Sequence, residues 1–226
     1  MPKSVLNSLL SFDKSIKKSY NDSTQYFSLV GVDEVGIGCF AGPVVAAAAI
    51  LPVVKPKSQL ALDLAYLNDS KKLNHKQRKE LSYVIKEHAH FAIGQATVEE
   101  IDQLNILQAG FLAMKRAIAD LKSKLLNDTV SIVVLVDGNK KIPAFDHEQM
   151  CIIKGDSQSA SIAAASVIAK VFRDELMEEL ALLHPHYLWH SNKGYGSSAH
   201  REAIAKHGLS IWHRRSFNIG LLELDD

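Results

Sequence analysis

The sequence has little cysteine and almost no net charge. Among its 226 residues there are two cysteines, Cys39 and Cys151, and the formal net charge is +1. Cysteines this far apart have neither the spacing of a metal site nor that of a redox pair, so we expect two reduced thiols in a reducing compartment. The charge balance favours no class of partner, and any electrostatic argument must depend on local clusters.

Long apolar runs are also missing. No stretch approaches the roughly 18 apolar residues that a membrane helix needs. Residues 1–25 are rich in serine, asparagine and lysine, and Asp13 interrupts their short apolar runs, which makes them too polar for a signal peptide. We therefore expect a soluble, cytoplasmic protein with a loosely attached extension at residues 1–25 and a weak helical pattern near 5–16.

What is present is the composition of an ordinary globular protein, with 47% apolar and 23% charged residues. Apolar, β-branched segments between breakers predict strands at 27–34, 44–51, 91–98, 130–136 and 150–153. Apolar residues at helical spacing predict helices at 74–88, 99–125, 159–183 and 198–207. This order predicts a mixed α/β fold with helices on both faces of one sheet.

The first predicted strand runs into a glycine-rich segment, GVDEVGIGCFAGP at 31–43. Its G-x-G-x-x-A spacing fits a dinucleotide-binding fingerprint, but the context disagrees. The fingerprint needs a helix next, whereas residues 44–51 suit a strand, and no acid occurs at 35–62 to bind a ribose. Asp33 and Glu34 would also place two negative charges beside the pyrophosphate, so we disfavour this interpretation.

Acidic residues instead follow several of the predicted strands. Asp33 and Glu34 end the first, Asp137 ends the apolar run VSIVVLV, and Asp156 follows the apolar CII. Ligands of open α/β sheets gather at the carboxyl ends of strands, and carboxylates brought together there repel one another unless cations lie between them. Oxygen ligands without cysteine or a histidine cluster favour Mg²⁺ or Mn²⁺. Such a pair of ions supports phosphodiester cleavage, so the pattern suggests a two-metal nuclease.

Each acid also has a simpler explanation. Asp137 before glycine suits a turn, Asp156 suits a helix N-cap, and the Asp33–Glu34 pair suits a strand end in water. Neighbouring strand residues point to opposite faces. Asp33 and Glu34 are therefore expected to share one site only if the chain leaves regular β geometry, which the nearby glycines would permit.

Six ordered motifs complete the pattern and together run from about residue 28 to 218. They are GVDEVGIGCFAGPV, DSKKL at 69–73, LVDGN at 135–139, KGDSQSASIAAASVIAKVFRD at 154–174, NKGYGSSAH at 192–200 and HRRSF at 213–217. In these motifs the sequence resembles the ribonuclease HII (type 2 ribonuclease H) family. The resemblance implies a ribonuclease H-like catalytic domain at 26–226, including a C-terminal helical segment at about 184–226.

The resemblance also implies an activity and its residues. The family is a metal-dependent endoribonuclease that hydrolyses the RNA strand of RNA–DNA hybrids and nicks duplex DNA 5′ of embedded ribonucleotides, leaving a 3′-hydroxyl and a 5′-phosphate. By this resemblance, Asp33, Glu34, Asp137 and Asp156 would be catalytic and hold Mg²⁺ or Mn²⁺. Asp174 ranks as supporting only, since Lys170 lies four residues before it and offers an ion pair. We expect a monomer that takes part in ribonucleotide excision repair, without a nucleotide cofactor or a membrane.

For substrate binding the resemblance points to Gly36, Ile37, Gly38, Lys71 and Tyr195. The family has Gly-Arg-Gly where this chain has Gly-Ile-Gly, so the contact of a guanidinium with phosphate is missing. A basic, aromatic stretch at 184–218 further predicts a surface for the nucleic-acid backbone, although its two tryptophans are equally suited to a core. The alternatives are a non-catalytic or weakened hybrid-binding protein of the same fold, a dinucleotide-dependent oxidoreductase, and a nuclease acting on DNA alone.

Overall fold

Five strands form one mixed sheet in the computed structural model, which describes residues 5–20, 27–125 and 131–220. They are β1 (Phe27–Val35), β2 (Val44–Ile50), β3 (His90–Ala96), β4 (Ser131–Asp137) and β5 (Glu148–Ile152). The order across the sheet is β3-β2-β1-β4-β5. The first three strands pair antiparallel, whereas β1, β4 and β5 run parallel. The carboxyl ends of β1, β4 and β5 therefore meet at one edge.

Eight α-helices surround the sheet within the described ranges. They are α1 (Val5–Ser19), α2 (Gln59–Asp63), α3 (His75–His88), α4 (Val98–Leu104), α5 (Ile106–Lys124), α6 (Ala160–Leu183), α7 (Trp189–Asn192) and α8 (Ser198–His207). None of the described helices is long and apolar enough to cross a membrane. The predicted helices at 74–88, 159–183 and 198–207 are present to within a residue.

The helix predicted at 99–125 is two helices instead of one. Asn105 interrupts it with a φ of 71° and a ψ of 161°, which lie far from helical geometry. The Asn105 side chain then caps α5 by accepting hydrogen bonds from the amides of Leu107 and Gln108, at 3.1 and 3.2 Å. Because the hydrophobic spacing continues across this break, periodicity alone does not detect it.

The two long helices α6 and α5 cover opposite faces of the sheet, which confirms the predicted α/β arrangement. Buried β2 residues alternate between the two cores, with Val45, Ala47 and Ala49 on the α6 side and Ala46 and Ala48 on the α5 side. A Cβ on Gly31 would lie 2.1 Å from the carbonyl carbon of Ser161, and one on Gly94 would lie 2.1 Å from the Ala113 oxygen. Small residues thus allow both helix backbones to lie directly on the sheet.

Helix α1 is more firmly held than the sequence suggested. Leu6 and Leu9 are buried in the core beneath α6. The buried Asp13 carboxylate accepts hydrogen bonds from the amide and hydroxyl of Ser161, at 2.9 and 2.8 Å, and so caps the start of α6. The expected loose attachment is therefore wrong for residues 5–19. Residues 1–4 and 21–25 of the predicted extension lie outside the described residues, and the domain boundary stays a prediction.

The C-terminal elements pack against the far end of α6. Tyr187, Trp189 and Ile204 form a separate core there with Met177 of α6. This small core joins α7 and α8 to the sheet domain and brings residues 210–217 back to the segment that follows β1, through the backbone hydrogen bond from Gly42 to Trp212 at 2.8 Å.

Candidate active site

Three of the four predicted acids meet at the carboxyl edge of the parallel strands. Asp33 lies near the end of β1 and Asp137 is the last residue of β4, beside it in the parallel register. Asp156 lies in a 3₁₀ turn that follows β5. One carboxylate oxygen from each of these three side chains lies within 4.8 Å of the other two. We call these residues, together with Glu34, the acidic centre.

Glu34 reaches the acidic centre from a regular strand. Pairing with β2 continues through Asp33, Glu34 and Val35, so the chain keeps regular β geometry, the case in which the two acids were not expected to share one site. Glu34 does not belong to the group of three converging oxygens. Burial, followed by the charge of Asp137, raises the pKa of Glu34 to about 7. Its buried Oε2 has no hydrogen-bond partner among the described residues.

Burial and neighbouring carboxylates raise the pKa of Asp33, Glu34 and Asp156. Burial raises the pKa of Asp33 well above its ordinary value, and the charges of Glu34 and Asp137 raise it further. Burial and then the charge of Asp69 raise the pKa of Asp156 to about 6. These groups resist ionising together, because each new negative charge meets those already there.

The pKa of Lys71, an exposed residue of the DSKKL motif, is affected by these acids. Partial burial would lower its pKa, but the charges of Asp33 and Asp156 outweigh burial, and the pKa of Lys71 is raised. A hydrogen bond of 2.9 Å between the buried hydroxyls of Ser70 and Ser166 ties this motif to α6. Sequence analysis did not single out either serine, since a lone serine in a helix carries no distinctive pattern.

The donor set fits a hard divalent cation. All four groups of the acidic centre are carboxylates, which are the ligands that Mg²⁺ and Mn²⁺ prefer over sulfur or imidazole. The Asp137 Oδ1 is oriented by the amide of Gly155 at 2.6 Å, so the carboxylate is fixed before any ion binds. The unpartnered Oε2 of Glu34 offers a further oxygen.

The segment after β1 packs against the C-terminal elements. We call its residues 36–43 the glycine loop. Gly36 has a φ of +94°, which favours glycine, whereas a Cβ on Gly38 would meet no atom within 4 Å. The Ile37 side chain is 37% exposed. Cys39 of this loop pairs antiparallel with Tyr195, so the predicted tripeptide and the predicted tyrosine lie side by side.

Asp174 has the partner that the sequence suggested. Its Oδ1 lies 2.8 Å from the Nζ of Lys170 in a largely buried ion pair. The Lys170 Nζ also lies 5.9 Å from the centre of the Tyr195 ring. Asp174 does not belong to the group of three converging acids.

The basic residues of the predicted surface at 184–218 are only partly available at the surface, and the surface itself stays a prediction. Arg214 is fully buried, and Lys193 is committed to Glu178 at 2.6 Å. The Arg201 guanidinium lies 4.7 Å from the centre of the Phe40 ring. Trp189 is fully buried as well, in agreement with the alternative of core packing. Lys206 and Arg215 are exposed, so the segment contributes both to the core of the appendage and to its surface.

Sequence analysis missed Arg173, which is also fully buried. Arg173 lies four residues from both Ala169 and Met177, which are buried on the same stripe of α6. That spacing was a usable signal, because a charged residue in the middle of a buried stripe must find internal partners.

Comparisons with known proteins agree with this geometry. The family model described as Ribonuclease HII matches residues 30–219. Ribonuclease HII of Fusobacterium nucleatum is 48% identical over 203 residues, which cover 89% of this chain and 91% of that protein. Ribonuclease HII of Parabacteroides distasonis is 46% identical over 190 residues, covering 84% of this chain and 89% of that protein.

Solved structures share the fold at lower identity. Ribonuclease HII of Archaeoglobus fulgidus, solved in a complex with PCNA, has a TM-score of 0.66 at 24% identity, covering 88% of this chain and 98% of that one. The Bst ribonuclease HIII, solved with Mn²⁺, has a TM-score of 0.67 at 23% identity, covering 88% of this chain and 69% of that one. These two likenesses concern the fold.

A mixed sheet of this order, with carboxylates gathered at the ends of its parallel strands, defines a ribonuclease H-like nuclease. Within that class the matched family model and the curated relatives decide the branch: the chain belongs to the ribonuclease HII family. It is therefore an endoribonuclease of the ribonuclease H type, as the six motifs predicted.

Proposed function

We propose that this protein cleaves the RNA strand of RNA–DNA hybrids and nicks duplex DNA on the 5′ side of embedded ribonucleotides. In this proposal the products are a 3′-hydroxyl and a 5′-phosphate, and the reaction depends on Mg²⁺ or Mn²⁺. The observation that carries it is the convergence of Asp33, Asp137 and Asp156 within 4.8 Å in a chain of this family. A monomer acting in the cytoplasm, in the repair of misplaced ribonucleotides, belongs to the same proposal.

The acidic centre is the proposed metal site, held by Asp33, Glu34, Asp137 and Asp156. Divalent ions held by these residues would supply an activated water and stabilisation of the leaving oxygen in phosphodiester hydrolysis. The chain's own part is to hold three carboxylates at strand ends and the fourth, that of Asp156, in the 3₁₀ turn after β5. The raised pKa values of Glu34 and Asp156 support this role, since carboxylates that repel one another have the most to gain from a cation.

Lys71 is the proposed contact for a phosphate next to the acidic centre. It is exposed, and its raised pKa keeps it charged beside Asp33 and Asp156. A positive charge here offsets part of the repulsion between the acids and the substrate backbone.

The glycine loop and Tyr195 are the proposed contacts for the ribose. Selection of RNA over DNA at one nucleotide depends on the 2′-hydroxyl, which both donates and accepts hydrogen bonds. Open space around Gly38 allows backbone groups of Gly36, Ile37 and Gly38 to approach a sugar closely. Tyr195 is 43% exposed and adjacent to the loop, so its ring is available for stacking on a neighbouring sugar.

One observation favours a second candidate function, that of an enzyme or binding protein with lower affinity for hybrids. Ile37 stands where the family has arginine, and it brings no charge to the substrate. A weakened enzyme would still cleave, with a higher KM, whereas a pure hybrid-binding protein would not cleave at all.

Three duplexes of one sequence test the proposal: all-DNA, DNA with a single ribonucleotide, and a full RNA–DNA hybrid. With Mg²⁺ or Mn²⁺ we expect a nick 5′ of the single ribonucleotide, multiple cuts in the hybrid RNA, and no cleavage of all-DNA. Sequencing-gel analysis of end-labelled strands locates the cut and identifies the end groups. Cleavage of all-DNA at a similar rate, or undiminished cleavage in EDTA, would contradict the proposal.

A further inference from the structure

Backbone hydrogen bonds join three separate chain segments into one unit, and two of these segments carry the proposed ribose contacts. The amides of Phe40 and Ala41 in the glycine loop donate to the Gly194 carbonyl at 2.8 and 3.3 Å. The amide of Gly42 donates to the Trp212 carbonyl at 2.8 Å, and the amide of Arg214 donates to the Phe40 carbonyl at 2.8 Å. The glycine loop therefore lies between the segment that carries Tyr195 and the segment that carries the HRRSF motif.

Two buried arginines hold this unit from inside. The guanidinium of Arg173 donates to the carbonyls of Pro43, Lys193 and Ala41, at 3.0, 2.9 and 2.9 Å. It therefore joins both ends of the unit, since Lys193 lies two residues before Tyr195. A Cβ on Gly36 would lie 2.3 Å from the Arg173 Nε, which places this side chain directly under the loop.

Arg214 binds two backbone carbonyls of the glycine loop. Its Nε and Nη2 donate to the Gly42 carbonyl, at 3.0 and 2.9 Å, and its Nη1 donates to the Ile37 carbonyl at 2.9 Å. The Ile37 carbonyl belongs to the peptide between Ile37 and Gly38. Arg214 therefore fixes the orientation of a peptide group in the tripeptide proposed to contact the ribose.

These contacts are costly for a purely structural role. Neither arginine forms a salt bridge among the described residues, although the charge of Asp102 acts on Arg214, and both side chains are fully buried. Burial lowers the pKa of Arg214 to about 10. Apolar residues of similar volume would pack such a site without the cost of burying a charge. The rigid, planar guanidinium of arginine, however, can hold several carbonyls in fixed directions at once.

We propose that Arg173 and Arg214 are positioning residues that preset the glycine loop and Tyr195 for the 2′-hydroxyl, with Arg214 orienting the Ile37–Gly38 peptide. This inference rests on the ribose contact of the proposed function. With isoleucine at position 37, the loop binds its substrate through backbone groups, so their orientation determines selectivity. Both arginines act through the backbone and do not contact the substrate.

Arg214→Lys and Arg173→Lys test this role, because lysine keeps the positive charge and loses the fork of donors. The readouts are KM and kcat for the single-ribonucleotide duplex, the inhibition constant of the all-DNA duplex as competitor, and Mn²⁺ affinity by calorimetry. Arg116→Lys is the matched control, since Arg116 also binds a carbonyl, that of Gln95 at 2.7 Å, but lies outside the unit.

For each of the two variants we expect KM to rise about tenfold, as the loss of one or two hydrogen bonds would give. The inhibition constant of all-DNA, kcat and Mn²⁺ affinity should change less than about twofold, because the acidic centre and the total charge are untouched. The control should keep all four values.

Other outcomes overturn the inference. An equal rise of KM and of the all-DNA inhibition constant would show general backbone binding without ribose selection. A lowered melting temperature with unchanged KM in both variants would show a structural role alone. If wild type does not cleave the single-ribonucleotide duplex, the proposed function itself has failed, and this is seen before any variant is measured.

Discussion

The acidic centre and the glycine loop are neighbours with opposite charge arrangements. In the acidic centre three carboxylates lie within 4.8 Å of one another, and the buried Oε2 of Glu34 has no hydrogen-bond partner among the described residues. Beneath the glycine loop, each buried arginine donates three hydrogen bonds to backbone carbonyls. One region holds negative charge that Lys71 offsets only in part, and the other holds positive charge whose donors are used by the protein itself.

This difference explains how each region is completed. Repelling carboxylates need a ligand from outside, and a cation that binds them stabilises the folded protein. The glycine loop needs no such ligand, since its arginines satisfy the carbonyls in the free protein. We therefore expect the acidic centre to respond strongly to metal, pH and charge substitutions, and the loop to respond to changes of shape.

The largest expected effect is on cleavage when the acidic centre loses one charge. Asp33→Asn or Asp137→Asn should abolish cleavage, beyond the roughly 10–100-fold loss typical of a substitution next to a metal ligand. The free energy of unfolding should change little, because relief of like-charge repulsion offsets the altered hydrogen bonds. Cleavage assays at saturating Mg²⁺ and thermal melts measure both quantities.

Asp120→Asn is the control for these variants, since Asp120 pairs with Lys124 on the exposed face of α5, at 2.8 Å. It should cleave as wild type does. Unchanged cleavage by either acidic-centre variant would remove the metal-binding role of that residue.

Two glycine substitutions distinguish the role of the loop in substrate binding from its role in the stability of the fold. Gly36→Ala should lower both stability and cleavage, because φ is +94° and its Cβ would lie 2.3 Å from the Arg173 Nε. Gly38→Ala should keep stability, since its Cβ meets no atom within 4 Å, yet raise the KM for a single-ribonucleotide duplex by occupying space for the sugar. Melting temperatures and KM values test this, and equal losses of stability would contradict it.

Ile37→Arg probes the one departure from the family tripeptide. A guanidinium at this exposed position should contact one more phosphate, tightening hybrid binding several-fold and steepening the dependence of log K on log salt by about 0.9. Val53→Arg adds the same charge at a residue that is 83% exposed, on the segment after β2, and serves as the control. Equal affinity and equal salt slope for Ile37→Arg and wild type would show that the side chain at 37 does not meet the backbone.

The same comparison shows what the sequence can predict. The acids were found because each follows an apolar strand, and parallel strands carry their ends to one edge whatever the details of packing. Whether the chain keeps regular β geometry at Glu34 was left open, since the sequence does not tell how a strand ends beside glycines. The buried arginines were missed for a different reason: their partners are backbone carbonyls, and every residue has a carbonyl.

Long-range contacts account for the remaining errors. Arg214 meets the Ile37 carbonyl across more than 170 residues of chain, and local composition suggested a solvent-exposed cation. Asp13 likewise meets Ser161 from a helix that appeared detachable. Local patterns thus predicted most strands and helices, but not which charged residues the tertiary fold would bury.

The smallest expected effect is the pH dependence that Glu34 gives to the metal-free protein. Its pKa is raised from 4.5 to about 7, so the folded state binds more protons than the unfolded state between these values. The part of the free energy of unfolding that depends on Glu34 therefore falls as pH rises through this window. Urea unfolding of wild type and Glu34→Gln in EDTA at pH 5, 6, 7 and 8 measures the contribution of Glu34 together with its effect on Asp33, because distant titrating groups cancel in the difference. The stability of wild type relative to the variant should decline towards pH 8 and recover when Mg²⁺ is added. A difference that does not vary with pH would mean that Glu34 is already compensated inside the protein, as the arginines beneath the glycine loop are.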